Sequence, residues 1–299
     1  MSRHTLVSQF GEIDNLTVNI DMVAVAGIGD NLRSQQPESS AMTPPQIVRI
    51  PVLPFGLINC HLIIGAQGCV LVDAGLPGSE AKVARVLKKY GRSFKDIKLI
   101  VITHAHVDHA GSAAKLRELS GAPILAHVGD LDYYEQRKKM SFCETGWFGR
   151  LFIRTGLILQ PYQPFTPDLL LQNGSSFDLS GFGVNGVARH TPGHTAGSVS
   201  LQLESGDALV GDLLASGILL GGLLHTEHAI RPPFEDDPQT VAVELLGMVD
   251  GGMQRFYMGH GGPLIAAEVR RHAVSLRGLK PGRSYSLRAT CACPDAHRG

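Results

Sequence analysis

Residues 103–111, THAHVDHAG, place three histidines and one aspartate within six positions. They directly follow residues 98–103, KLIVIT, a nearly continuous apolar run that predicts a strand buried on both faces. Burying so many ionisable groups without partners would be costly, so this segment constrains the fold more than any other. Because neutral imidazoles and carboxylates bind divalent metal ions, it predicts a metal site at the carboxyl end of a strand.

The spacing within this segment predicts two neighbouring metal positions. Side chains alternate along extended backbone, so His104 and His106 point the same way. A tight turn brings Asp108 and His109 to a second point a few ångströms away. We therefore expect two divalent metal ions as cofactors; the ligand types favour zinc and leave iron and manganese open.

Three later residues are further candidate ligands, each at the end of a short apolar run and beside glycine. They are His194 in TPGHTAG, Asp212 in LVGDLL and His260 in YMGHGGP. A single histidine beside glycine is more often a surface or core residue. Three such residues in a chain that already holds the first segment predict one shared site.

The order of elements predicts an α/β fold. Short β-branched runs at 47–53, 60–65 and 69–75 precede a helix at 80–90 with Ser79 as its N-cap, and a strand at 123–126 follows the helix at 112–119. The second half repeats this logic, with helices predicted at 238–249 and 264–276. Two β-rich halves with outer helices predict a four-layered αβ/βα sandwich.

The remaining segments divide the chain. Residues 1–45 end in a Ser/Gln/Pro-rich stretch and are predicted to be an arm or linker, residues 46–276 the catalytic domain, and residues 277–299 a tail. Residues 131–167 hold the only tryptophan and many aromatics, and we interpret them as a lid or pocket wall, with ordinary packing or a subunit interface as alternatives. The Leu-rich residues 213–224 are predicted to form a loop at the active site or at a subunit interface.

Charge and cysteine content restrict the partners. Lys plus Arg equals Asp plus Glu at 27 each, so we expect no nucleic acid partner. No apolar run is long enough for a membrane helix, so no membrane association is expected. Five cysteines form an odd set that argues against a disulfide framework and fits the cytoplasm. We expect a small-molecule substrate, and a homodimer is possible.

The motifs HAHVDH, GHTAG, VGD and GHG together resemble the metallo-β-lactamase superfamily, and the resemblance covers residues 46–276. It implies that one metal ion is held by His104, His106 and His194, a second by Asp108, His109 and His260, and that Asp212 bridges them. It also implies that Asp73, in LVDAG, steadies the metal loop through hydrogen bonds without binding metal.

The expected chemistry is hydrolysis by a hydroxide shared between two metal ions, with Asp108 as catalytic proton acceptor. Lactones and thioesters are the favoured substrates, because similar lactonases share the seven ligands and a compact domain. Only 39 residues follow His260, which argues against glutathione thioesters, whose hydrolases add a helical domain there. The alternatives are an iron-dependent sulfur dioxygenase, a phosphodiesterase or nuclease, and weak β-lactamase activity.

Overall fold

A computed structural model describes residues 45–65, 67–221 and 224–279. Nearly all of the predicted arm, most of the predicted tail, and Cys291 and Cys293 lie outside the described residues. The domain bounds at residues 46 and 276 stay a prediction.

The first sheet contains six strands in chain order, which are β1 (Gln46–Pro51), β2 (Asn59–Ile64), β3 (Cys69–Val72), β4 (Ile97–Val101), β5 (Ile124–His127) and β6 (Leu169–Leu171). β1, β2 and β3 are antiparallel neighbours, whereas β3 to β6 run parallel. The carboxyl ends of the parallel strands therefore meet at one edge of the sheet, where ligands bind in sheets of this kind.

The second sheet also has six strands, β7 (Ser176–Asp178), β8 (Gly186–His190), β9 (Val199–Leu203), β10 (Asp207–Leu209), β13 (Arg255–Tyr257) and β14 (Leu264–Ile265). Their spatial order is β14-β13-β10-β9-β8-β7, and only β10 and β13 pair in parallel. The short strands β11 (Ala215–Ser216) and β12 (Ala229–Ile230) form a separate pair.

The α-helices of the described residues are α1 (Glu80–Lys89), α2 (Val107–Ala110), α3 (Ala113–Ser120), α4 (Leu131–Tyr134), α5 (Trp147–Arg154), α6 (Pro238–Asp250) and α7 (Ala266–Leu276). α1 and α3 pack on the outer face of the first sheet, through residues such as Leu87 and Leu116. α6 and α7 cover the outer face of the second sheet around Phe256. The predicted four-layered αβ/βα sandwich is confirmed.

The central strands are continuous apolar runs because their side chains alternate between two buried faces of the sheet. In β4, Ile100 packs toward the helices on the outer face, whereas Leu99 and Val101 contribute to the core between the two sheets. Successive side chains of a strand point to opposite faces, so the buried part of a strand in the middle of four layers must be apolar on both faces. Lys98, near the start of β4, is exposed and is the one charged residue of this strand.

Two local predictions need correction. Residues 264 and 265 form β14, which pairs antiparallel with β13, and helix α7 starts only at Ala266. Pairing with a neighbouring strand outweighs the helical pattern at these two residues. Ser79 precedes α1 but has no side-chain capping hydrogen bond, because its backbone is already helical and the N–H groups of Lys82 and Val83 donate to its carbonyl.

Two further features concern the described cysteines and the possibility of a membrane-spanning helix. Cys60 and Cys69 are free and buried. In the described part of the chain, no helix has the length and apolar character needed to cross a membrane.

Candidate metal centre

All seven candidate ligands are brought together, at the edge where strands of both sheets end. His104, His106, Asp108 and His109 follow β4, and His194 lies between β8 and β9. Asp212 and His260 each lie three residues beyond the paired parallel strands β10 and β13, so the sheet register places them side by side. Each of the seven residues is buried, and none is more than 7% exposed.

The first cluster is a triangle of imidazole nitrogens. His104 Nε2 lies 3.0 Å from His106 Nδ1 and 3.1 Å from His194 Nε2, and the third side is 3.2 Å. A neutral imidazole nitrogen is either a donor or an acceptor, so three mutual contacts cannot all be hydrogen bonds. Three nitrogens bound tetrahedrally to one zinc ion lie about 3.3 Å apart. The triangle therefore fits a cation at its centre.

The second cluster combines His109 and His260 with the carboxylates of Asp108 and Asp212. His260 Nε2 lies 3.0 Å from Asp212 Oδ2 and 3.3 Å from Asp108 Oδ2. Asp212 also faces the first cluster, since its Oδ2 lies 3.9 Å from His194 Nε2. His109 Nε2, Asp108 Oδ1 and Asp212 Oδ1 are buried without a hydrogen-bond partner among the described residues. Such orphaned atoms are costly unless a cation satisfies them.

The protonation states of the first cluster suit a cation. Burial, together with the neighbouring histidines, lowers the pKa of His106 to about 3, and burial lowers that of His194 to about 4. The pKa of His104 is also lowered by burial and by the other histidines. At neutral pH these imidazoles are therefore uncharged, which is the form that binds metal.

The carboxylates of the second cluster attract positive charge. Burial raises the pKa of Asp108, but His109 and His260 outweigh this effect and hold it at about 2. Burial lowers the pKa of His260, but Asp212 and Asp108 raise it to about 10. The pocket thus favours extra positive charge beside these carboxylates, whether supplied by protons or by metal ions.

Hydrogen bonds outside the clusters orient the ligands. Asp73 Oδ1 accepts from the backbone N–H of Thr103 at 2.8 Å, and Asp73 Oδ2 accepts from His109 Nδ1 at 2.9 Å. The Thr103 hydroxyl donates to Asp73 and is left to accept from His104 Nδ1. Nε2 of both histidines is thereby directed into the site. The hydrogen-bonding role predicted for Asp73 is confirmed.

Glycine at two positions permits the close approach of these loops. A Cβ atom on Gly259 would lie 2.3 Å from His109 Cε1 and 2.4 Å from Asp212 Oδ1. Gly211 has φ +52°, and a Cβ there would lie 2.7 Å from the Thr103 hydroxyl. Any side chain at either position would push the ligand loops apart.

Asp130 is a site residue that the sequence reasoning missed. Its carboxylate is fully buried and accepts hydrogen bonds from the backbone N–H of Ala105, the Thr195 hydroxyl and the backbone N–H of Gly197. It therefore ties the loop that carries His104 and His106 to the loop that carries His194. The available signal was an aspartate three residues beyond β5, the parallel neighbour of β4.

Asp130→Asn is expected to weaken metal binding and activity about 10- to 100-fold, as is typical for residues that orient metal ligands. The amide NH2 would face a backbone N–H or the Thr195 hydroxyl, so the two loops lose part of their shared anchor. Metal affinity is measured by competition with a chromogenic chelator, alongside kcat/KM. Asp178→Asn, at the exposed end of β7, is the matched control. Unchanged metal affinity in Asp130→Asn would contradict this role.

A cavity of about 180 Å³ opens above the clusters. Its lining includes the apolar residues Leu57, Leu220, Phe148, Phe152 and Phe234. Among the described residues that line it there is no lysine or arginine. Residues 131–167, interpreted as a lid or pocket wall, contribute Phe148 and Phe152, so part of this segment does lie at the pocket.

A family model and individual relatives both relate this chain to metal-dependent hydrolases. The family model described as the metallo-beta-lactamase superfamily matches residues 53–260. The probable metallo-hydrolase YflN of Bacillus subtilis is 27% identical over 221 residues, covering 69% of this chain and 80% of YflN. Hydroxyacylglutathione hydrolase GloC of Haemophilus influenzae is 28% identical over 216 residues, covering 71% of this chain and 89% of GloC.

A solved structure extends this similarity to the fold. A metallo-beta-lactamase family protein from Thermus thermophilus superposes with a TM-score of 0.52 at 25% identity, covering 78% of each chain.

Proposed function

Because this chain belongs to the metallo-β-lactamase superfamily and is a metal-dependent hydrolase, we propose that it cleaves a thioester or lactone with an apolar acyl group. The observation that carries this proposal is the position of the His/Asp clusters at a pocket whose other lining residues are apolar. Such a pocket suits an acyl chain beside a carbonyl carbon. Among its described lining residues there is no lysine or arginine to bind the non-reacting phosphate oxygens of a phosphodiester.

We propose that the two clusters hold two divalent metal ions, with zinc favoured by the imidazole-rich ligands. His104, His106 and His194 would hold one ion; Asp108, His109 and His260 the other; and Asp212 would bridge them. Ions bound there would lower the pKa of a bound water, so that a nucleophile is available at neutral pH, and would polarise the carbonyl oxygen.

The side chains around the ions have separate tasks in this proposal. Asp108 lines the apolar pocket, and its Oδ1 is buried without a hydrogen-bond partner among the described residues. This oxygen is therefore placed to accept a proton from attacking water. The phenylalanines at the pocket exclude water from the reacting carbonyl.

Thioesters have additional support from the relatives. GloC is named for hydrolysis of a glutathione thioester, and this chain covers 89% of its length. A protein with that name therefore matches this chain without a long additional domain. The short segment after His260 is consequently not an argument against glutathione thioesters.

The test is elemental analysis of the purified protein combined with turnover of five substrates. These are an acyl thioester of N-acetylcysteamine, an acyl lactone, a phosphodiester, a cephalosporin and a persulfide. We expect two divalent metal ions per chain, with zinc favoured, and turnover of the thioester or the lactone. A single iron with oxygen uptake on the persulfide, or turnover confined to the phosphodiester or the cephalosporin, would overturn the proposal.

A further inference from the structure

A second, larger cavity of about 560 Å³ lies beside the apolar pocket. His106 and Ile158 line both cavities, so the two are neighbours separated by these side chains. A volume of this size is in the range that binds a small molecule. A substrate whose carbonyl lies at the metal centre can therefore place its acyl group in one cavity and its leaving group in the other.

The larger cavity differs from the apolar pocket in its charge. Lys138 and Lys139 line it, together with the amides of Gln136 and Gln160, and no aspartate or glutamate is among its described lining residues. Lys138 already forms an ion pair with Asp132, at 2.5 Å. Lys139 has no ion pair or hydrogen bond within the described ranges of the chain. Its charge is thus available to a ligand.

The wall that carries Lys139 is attached to the metal loop. Backbone N–H groups of Arg137 and Lys138 donate to the Asp132 carbonyl and hold the turn after α4. The Gln136 side chain donates to the carbonyl of Tyr162. The Tyr162 hydroxyl in turn donates to the carbonyl of Ala105, between His104 and His106, at 3.0 Å. Hydrogen bonds therefore connect the lining of the larger cavity to the loop that carries His104 and His106.

We propose that the larger cavity binds an anionic leaving group of the substrate, with Lys139 as its charge partner, while the apolar acyl group occupies the smaller pocket. This inference rests on the proposed function and specifies its substrate class as thioesters whose thiol carries carboxylates or phosphates. Hydrolysis of such a thioester consumes one water and releases a carboxylic acid from the smaller pocket and an anionic thiol from the larger one.

The test compares three thioesters with the same acyl group, made from N-acetylcysteamine, glutathione and coenzyme A. The first thiol is neutral, the second carries carboxylates and the third carries phosphates, so the series also distinguishes the two sources of charge. We expect Lys139→Ala to lower kcat/KM about three- to fivefold for an anionic thioester, through KM, and to leave the neutral one unchanged. Added salt should reduce the difference.

Two variants serve as controls. Lys139→Arg keeps the charge and is expected to retain the preference for the anionic thioester. Lys115→Ala removes another exposed lysine, which pairs with Glu118 on α3, and is expected to change nothing. If Lys139→Ala changes the neutral and anionic thioesters equally, or changes neither, the inference is wrong although the hydrolase function stands.

A binding measurement separates this inference from the proposed function. The dissociation constants of S-methylglutathione and S-methyl coenzyme A, which cannot react, are measured by calorimetry on the metal-loaded protein. We expect at least one of them to bind the wild type and to bind Lys139→Ala three- to fivefold more weakly, even if no thioester is hydrolysed. Equal affinity of both proteins, or no binding of either probe, would overturn the inference.

Discussion

Asp212→Ala is expected to reduce kcat/KM by on the order of 10³-fold or more and to lower the metal content of the purified protein. Asp212 is the carboxylate that faces both clusters, with Oδ2 at 3.0 Å from His260 Nε2 and at 3.9 Å from His194 Nε2. Its removal takes away the negative charge that favours a second cation beside His109 and His260, so we expect the second ion to be lost first.

The matched control is Asp207→Ala, because Asp207 is a buried aspartate at the start of β10, the strand that precedes Asp212, and pairs with Arg255 outside the site. This variant is expected to lose some thermal stability and to keep its metal content and kcat. Metal content is measured by elemental analysis, and folding by circular dichroism. An Asp212→Ala protein with both ions and full turnover would exclude a bridging role for this carboxylate.

Asp108→Asn is expected to lower kcat about 10²- to 10³-fold while most of the bound metal remains. Asparagine keeps the shape of the side chain and one carbonyl oxygen, but its amide is neutral and cannot accept a proton. The loss should therefore appear in kcat, with a smaller change in KM. Asp108→Ala, which removes the ligand as well, is expected to lose metal in addition.

Elemental analysis and steady-state kinetics of the two Asp108 variants, side by side, distinguish proton acceptance from metal binding. The same kcat for wild type and Asp108→Asn, at unchanged metal content, would contradict the role of Asp108 as proton acceptor. An Asn variant that loses as much metal as the Ala variant would assign Asp108 to metal binding alone.

The strands and the layer order were predictable because they depend on local apolar content. Residues 98–103 and 69–75 are apolar at almost every position, as strands covered on both faces must be. The prediction was wrong at Leu264 and Ile265, where residues at the start of a helical pattern form β14 with β13. A pairing partner that is close only in the folded chain decided these two positions.

The metal-binding chemistry was visible in the sequence because its ligand types are rare in combination and stand beside glycines. Asp73 was also recognisable from its motif, and the structure shows its hydrogen bonds to Thr103 and His109. By contrast, Asp130 carries no local motif. Its three donors, on Ala105, Thr195 and Gly197, come from two loops that are far apart in the chain.

The sequence by itself determined which residue types are available for metal chemistry and which segments are buried, because both follow from side-chain chemistry and short-range periodicity. Only the tertiary structure decided which ring nitrogen of each histidine faces the site, how Asp212 lies between the two clusters, and that an apolar pocket and a cationic cavity share the wall at His106. These properties depend on distances between loops far apart in the chain, and such distances are set by the packing of the two sheets.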